Sequence, residues 1–124
     1  HDMAQVVDQV FFLNGELLNA IDDVLSNSNR PTVIILQGDH GPGSASDRSP
    51  EGLLGRMPIF SAFYFPDRGY EMLAPDITPV NTFRVLLNKY LQANLPLLEN
   101  RSFWVNDPYV FEFIDVTEQV PTRH

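Results

Sequence analysis

The residue types best suited to chemistry stand together at Gln37-Gly38-Asp39-His40-Gly41-Pro42-Gly43. A carboxylate and an imidazole side by side are two ligands for a divalent metal, and a working centre takes at least one or two more groups from elsewhere. In a regular strand successive side chains point to opposite faces, so Asp39 and His40 reach one centre only if the backbone leaves the strand there. Gly38 and Gly41 flank the pair and permit that departure. The competing reading is structural: Asp39 caps the loop through its own backbone and His40 is a surface residue. The chain has three histidines, and two of them, His1 and His124, are terminal, so no second internal histidine completes a site.

Two other chemistries draw on the same stretch. Ser44 or Ser46 with His40 and Asp47 supplies the residue types of a hydrolase triad, but no Gly-x-Ser-x-Gly elbow accompanies them. The glycines suggest a phosphate cradle, yet Gly-Lys-Ser/Thr is absent and no clear helix start follows. Arg48 and Arg56 are candidates for holding an anion near a metal, against the plainer expectation that they are solvated or paired with carboxylates.

The elements that must position Asp39 and His40 follow from periodicity. From Val6 to Leu25 apolar residues recur at three and four, the pattern of an amphipathic helix burying one stripe, with Gly15 a weak point and Ser26 to Pro31 the stop. Thr32 to Leu36 is a short β-branched run without alternation, as expected of a strand covered on both faces, usually in a parallel sheet. Gly38 to Gly55 reads as one long loop at its carboxyl end, where open α/β sheets bind ligands. Met57 to Phe65 is apolar on both alternations and reads as a second interior strand. Thr78-Pro79 supplies a helix cap and a first-turn proline ahead of Val80, Phe83, Leu86, Leu87, Tyr90 and Leu91 at helical spacing. Ser102 to Val105 and Tyr109 to Val116 read as two strands joined by a turn at Asn106-Asp107-Pro108, and the aromatic residues of the strands, Trp104 among them, as core. The expected class is α/β, a partial sheet with flanking helices in the order helix, strand, loop, strand, helix, strands.

Composition narrows the function. With 124 residues, 44% of them hydrophobic and 19% charged, the chain is a single domain's length with enough apolar side chain for a core. A net charge of −8 repels phosphate backbones and anionic lipid, which argues against nucleic acid and membrane surfaces as partners. The absence of cysteine removes disulfides, thiolate nucleophiles and cysteine-type zinc sites together. No apolar run approaches the roughly 20 residues that span a bilayer, so a soluble piece is expected. His1-Asp2-Met3 has no signal-peptide character and reads as a cloning remnant ahead of native sequence.

The stretches Val33 to Gly43, Met57 to Pro66, Ile77 to Asn88 and Leu95 to Ser102 together resemble the carboxyl-terminal part of a sulfatase-like protein, in the alkaline phosphatase superfamily branch that holds sulfatases and lipoteichoic acid synthases. The likeness covers most of the chain, and Asp-His-Gly after a hydrophobic strand is its most specific element. It implies a fragment of an alkaline-phosphatase-like three-layer fold and a metal-dependent enzyme, hydrolase or transferase, acting on phosphate or sulfate esters through a hydroxyl-type nucleophile. Asp39 and His40 then map onto metal ligands, for zinc, manganese, magnesium or calcium, with no metal held tightly by this chain alone. The family's amino-terminal half, with a further acidic ligand and the nucleophile, precedes this region. The chain thus reads as a segment that is inactive alone, carries no catalytic nucleophile, and has that missing half as its partner. The resemblance also implies a membrane-anchored parent with an extracytoplasmic catalytic domain. A sheet cut from its neighbours exposes an edge and an apolar face, so a homo-oligomer of the fragment is expected. The alternative is a stand-alone acidic α/β interaction module in which Asp39 and His40 are incidental.

Overall fold

The computed structural model describes residues 3–106 and 109–120, and places three helices and four short strands along them. Helix α1 is Met3–Asn27, strand β1 Ile34–Gln37, helix α2 Pro50–Arg56, strand β2 Ser61–Tyr64, helix α3 Pro79–Leu91, strand β3 Phe103–Asn106 and strand β4 Tyr109–Asp115, followed by a single 3-10 turn at Thr117–Gln119. The class is mixed α/β. The turn expected at Asn106-Asp107-Pro108 lies outside the described residues at Asp107 and Pro108. Among the described residues no helix is long and apolar enough to cross a membrane.

The strands pair as β1 with β2 and as β3 with β4, two small antiparallel sheets rather than the parallel sheet expected from the apolar run before Gln37. The physical reason lies in the connection. After Gly38 the chain turns back on itself and re-enters at Phe60, whose carbonyl accepts the Gly38 N–H at 2.9 Å. Residues 32–38 are consequently half-buried and not covered on both faces. β2 is also shorter than the expected Met57 to Phe65 strand. Met57 instead closes α2, its N–H donating to the Leu53 carbonyl at 2.9 Å, and Pro58 has no N–H to offer a ladder.

The chain divides into two compact units, residues 1–35 with 63–68, and residues 36–62 with 69–124. In the first unit α1 forms where the periodicity placed it, but its apolar stripe is not buried. Residues 4–16 are all exposed, with Phe11 72% exposed, and only Leu17, Ile21 and Leu25 are half-covered. The buried side chain described in this unit is Phe65, edge-on to Phe63 with ring centroids 6.3 Å apart.

The second unit holds the hydrophobic core, in which Leu53, Trp104 and Val116 pack with Met57, Ile114 and Val120. Trp104 is a core residue, as the sequence indicated, at 3% exposure. Phe103 and Val105 point to the other side of β3, as strand alternation requires. α3 starts with Pro79 in its first turn and ends on Gln92 in the left-handed region. Thr78 occupies the cap position without capping through its side chain, because its hydroxyl donates to Asn100 Oδ1 at 3.1 Å.

Asparagines on α3 fasten the segment that follows it. Buried Asn81 donates to the Leu98 carbonyl at 2.7 Å and to Asn100 Oδ1 at 2.9 Å, and accepts the Leu98 N–H at 2.9 Å. Asn88 makes the same two-way clasp on Leu95. An amide matches both backbone groups of an extended segment, which is how a run without its own ladder stays satisfied. Buried Thr82 receives the Gln37 side-chain amide at 3.4 Å, and the same amide donates to Ser61 Oγ at 3.2 Å. Gln37 is the last residue of β1, so α3 fixes the point where that strand ends.

At the end of β4, Asp115 accepts both the hydroxyl of Thr117 at 2.6 Å and its N–H at 3.0 Å, and pairs with Arg101. These bonds, those of Thr117 first, hold its carboxyl at about 2, below the usual carboxylate value of 3.8. A depressed folded-state value means the stabilisation is fully present above the unfolded-state value and is lost as pH falls toward the folded one. We expect the Asp115 side-chain carbon to titrate near pH 2 in an NMR series, and Asp115→Asn to flatten the loss of stability below about pH 4; an ordinary titration midpoint contradicts the assignment.

Candidate metal centre

Asp39 and His40 sit two and three residues past Gln37, the last residue of β1, in a segment clasped by backbone hydrogen bonds. Gly41 N–H donates to the Arg56 carbonyl at 2.7 Å and Gly43 N–H to the Gly55 carbonyl at 3.1 Å. Glycine is required at both positions for space. A β-carbon on Gly41 would overlap the Gly55 carbonyl oxygen, and one on Gly43 would come within 2.8 Å of the Arg56 nitrogen. Together with the Gly38 bond to Phe60, these bonds pin the backbone on both sides of Asp39 and His40, whose side chains are exposed.

Both side chains project to the same place. His40 Nε2 and Asp39 Oδ2 are 3.5 Å apart, with the imidazole side chain 47% exposed and the carboxylate 89% exposed. His40 Nδ1 lies 2.7 Å from the Gly41 carbonyl, an oxygen that only accepts, so Nδ1 carries a proton. In the neutral ring Nε2 then turns its lone pair toward a carboxylate oxygen. Two facing acceptors repel unless something positive lies between them, either a proton on Nε2 or a shared cation. Ligand atoms about 2.0–2.1 Å from a tetrahedral zinc stand roughly 3.3 Å from each other, close to the separation found. A ligating histidine ordinarily donates its other N–H to a carbonyl or carboxylate, as His40 does here.

The donor set fits a divalent cation in kind and is short in number. Among the described residues no cluster of three or more histidine, cysteine or carboxylate side chains surrounds a common point. Asp39 also does the capping of the structural reading, since its Oδ1 accepts the His40 N–H at 3.0 Å. Capping engages one carboxylate oxygen and sets the direction of the other.

The segment read as one loop contains α2. Ser49 caps it through its hydroxyl, which accepts the Gly52 N–H at 3.1 Å, Pro50 takes the first helical position, and Asp47 Oδ1 accepts the Ser49 N–H at 3.0 Å. Those bonds lower the Asp47 carboxyl below its usual value. Ser-Pro-Glu was the legible start signal; Gly52 and Gly55 hid it by weakening the propensity of so short a run. Gly52 is nonetheless needed, because a side chain there would meet the Asp47 backbone.

α2 delivers Arg56 to the site. Its Nη1 donates to the Gly43 carbonyl at 3.0 Å and lies 3.5 Å from His40 Nδ1, a contact between two donors and not a bond. Arg48 is exposed and stands apart from the site. Asp39, His40 and Arg56 line a cleft of about 280 Å³ with Ala45, Met57, Phe103, Trp104 and Val105. The wall from β3 carried no sequence signal, since nothing in Phe103 to Val105 distinguishes a cleft lining from core.

The other two chemistries are not assembled. Ser44 and Ser46 hydrogen-bond to each other at 3.0 Å and neither reaches His40 among the described residues. The Gly41 and Gly43 N–H groups are already engaged by α2 carbonyls and cannot cradle phosphate. Compared with known protein families, curated proteins and solved structures, the chain matches none.

The clasp yields a direct expectation. Gly41→Ala should destabilise the chain by about 1–3 kcal/mol, the usual cost of forcing atoms into a filled space, and should shift the His40 ring resonances in an NMR spectrum. A substitution neutral in thermal melts, with the His40 resonances unmoved, would show that the approach of Gly41 to Gly55 is not what sets the site.

Proposed function

We propose that this chain is the metal-ligand-bearing, carboxyl-terminal segment of a sulfatase-like enzyme, a hydrolase or transferase of phosphate or sulfate esters, with Asp39 and His40 as two of the ligands. The observation that carries this reading is the convergence of His40 Nε2 and Asp39 Oδ2 at 3.5 Å, with Nδ1 donating to the Gly41 carbonyl. The resemblance of Val33 to Gly43 and the stretches after it supplies the reaction class, and the geometry of these two residues is compatible with it. A bound divalent cation would supply Lewis-acid stabilisation of charge on the ester and would lower the proton affinity of a nucleophile. In this chain Asp39 and His40 hold the cation, Gly41 orients the imidazole, and the clasp on α2 keeps the pair in place. The nucleophile and the remaining ligands belong to the missing half, so the segment is inactive alone. Its parent is membrane-anchored, with the catalytic domain outside the cytoplasm.

The exposed stripe of α1 favours a second, different reading, the acidic interaction module in which Asp39 and His40 play no chemical part. Metal binding separates the two. Calorimetry with zinc or manganese should show binding weaker than micromolar, because two ligands leave most of the coordination sphere to water. Asp39→Asn and His40→Ala should each abolish it without lowering the melting temperature. An unchanged isotherm in both variants counts for the module, and submicromolar affinity removed by Asp39→Ala contradicts a two-ligand site.

The same stripe supports self-association of the isolated chain, since residues such as Phe11, Phe12, Leu13 and Leu18 are left in water. Light scattering at high concentration should report a dimer or larger species, and Phe11→Asp should return it to monomer. A clean monomer of the unaltered chain under those conditions rules this out.

A further inference from the structure

The hairpin of β3 and β4 is apolar on both faces. Trp104 and Ile114 turn inward to the core with Leu53 and Val116, while Phe103 and Val105 stand on the opposite face beside Phe111 and Phe113 of the neighbouring strand. The register sets Val105 against Phe113, and the Phe103 and Phe113 rings meet edge-on with centroids 6.4 Å apart. All four outer side chains are exposed, Phe111 by 89%. Strands that are apolar on both sides belong between two layers, so this outer face lacks its cover. α1 has the matching deficit, since Val6, Val10, Phe11, Leu13 and Leu18 of its stripe are exposed too.

Area and charge decide which surfaces meet. Phe103, Phe111 and Phe113 together leave about two whole phenylalanine side chains in water, roughly 400 Å² at about 200 Å² each. Two hairpin faces stacked on each other would bury roughly 800 Å² in total, the size of an incidental contact and short of the roughly 1,200 Å² that a stable interface takes. α1 on α1 meets a different obstacle. The helix carries Asp8, Glu16, Asp22 and Asp23 and no lysine or arginine, so that contact doubles an unbalanced negative charge. The charges bordering the hairpin face are balanced, because Asp115 pairs with Arg101, whose guanidinium lies 5.2 Å from the centre of the Phe103 ring. An α1 stripe on a hairpin face, made twice between two copies, buries roughly 1,600 Å², the standard size of a specific interface.

We propose that two copies of this chain associate reciprocally, the α1 stripe of each seated on the outer face of the other's β3–β4 hairpin. The two contacts are symmetry mates, so the assembly closes at a dimer. The proposal rests on the self-association expected from the α1 stripe and adds the surface that receives it.

Two variants and their mixture test it. Phe11→Asp spoils the stripe and Phe111→Asp the hairpin face, and because Phe111 is almost wholly in water its replacement leaves the core untouched. In a reciprocal pair each variant damages both contacts, so each should raise the dissociation constant measured by sedimentation by about thirtyfold or more, the scale of one lost aromatic anchor. Phe113→Ser on the same face should act in the same direction, and circular dichroism checks that all three variants fold. Mixed together, Phe11→Asp and Phe111→Asp keep one contact whole, the intact stripe of the second on the intact face of the first. With one variant isotopically labelled, native mass spectrometry should show the mixed pair above its random proportion. If Phe111→Asp and Phe113→Ser associate like the unaltered chain while Phe11→Asp does not, the hairpin is not the seat and association through α1 stands. Phe11→Asp associating like the unaltered chain, or a mixed pair at its random proportion, overturns the reciprocal pairing. An unaltered chain that stays monomeric overturns both.

Discussion

The site depends on how closely one turn of backbone approaches the end of a short helix. Gly38, Gly41 and Gly43 donate to the carbonyls of Phe60, Arg56 and Gly55, and two of those approaches exclude a β-carbon. An unpaired N–H in such a half-covered turn is costly, so the three bonds define the path of the chain more firmly than its side chains do. Asp39 and His40 lie between the bonded glycines, and their direction follows from that path. Arg56 enters through the same clasp, because its carbonyl receives Gly41 while its guanidinium reaches Gly43. Asp39, His40 and Arg56 are thus parts of one local structure.

Support for the clasp comes from polar groups that satisfy one another in the second unit. Gln37 bridges Ser61 and Thr82, tying the end of β1 to the start of β2 and to α3. α3 is held in turn by Asn81 and Asn88, which replace the strand partners that the run from Leu95 to Asn100 lacks. Among the described residues no buried side-chain nitrogen or oxygen is left without a partner. A fully satisfied network of this kind fixes geometry more than it adds stability, since each bond replaces one to water.

Much of this was legible in the residues. Thr78-Pro79 marked the start of α3, the period of three and four marked α1 and α3, and Gly38 and Gly41 marked where the chain could leave a strand and bring Asp39 and His40 together. The direction of the β1 pairing was not legible, because a continuous apolar run describes how much of a strand is covered and not which way its partner runs. Whether the α1 stripe is buried was beyond reach as well, since periodicity identifies an apolar face without naming what covers it. α2 was missed for a different reason: its start signal was intact, but a seven-residue helix with two glycines is held by Leu53 in the core and by the Ser49 cap, contributions that a propensity reading underweights.

The acidic character of the chain sharpens the case for Asp39. Of the carboxylates whose bonds are described, Asp47 is engaged by Ser49, and Asp115 by Thr117 and Arg101, and in both those bonds lower the carboxyl below its ordinary range. These carboxylates are occupied by their own surroundings, as charged caps and turn residues usually are. Asp39 also accepts a backbone N–H, but only with Oδ1; Oδ2 is left facing an imidazole nitrogen whose proton is already assigned to the opposite side of the ring. That second orientation is favourable with either a proton on Nε2 or a shared cation between the two atoms. The bond to Oδ1 restricts the rotation of a carboxylate that is otherwise 89% exposed. The same restriction applies to His40, held by Gly41. Asp39 and His40 thus stand as two oriented side chains on an exposed turn, with Arg56 beside them, and their directions follow from backbone bonds made by the turn itself.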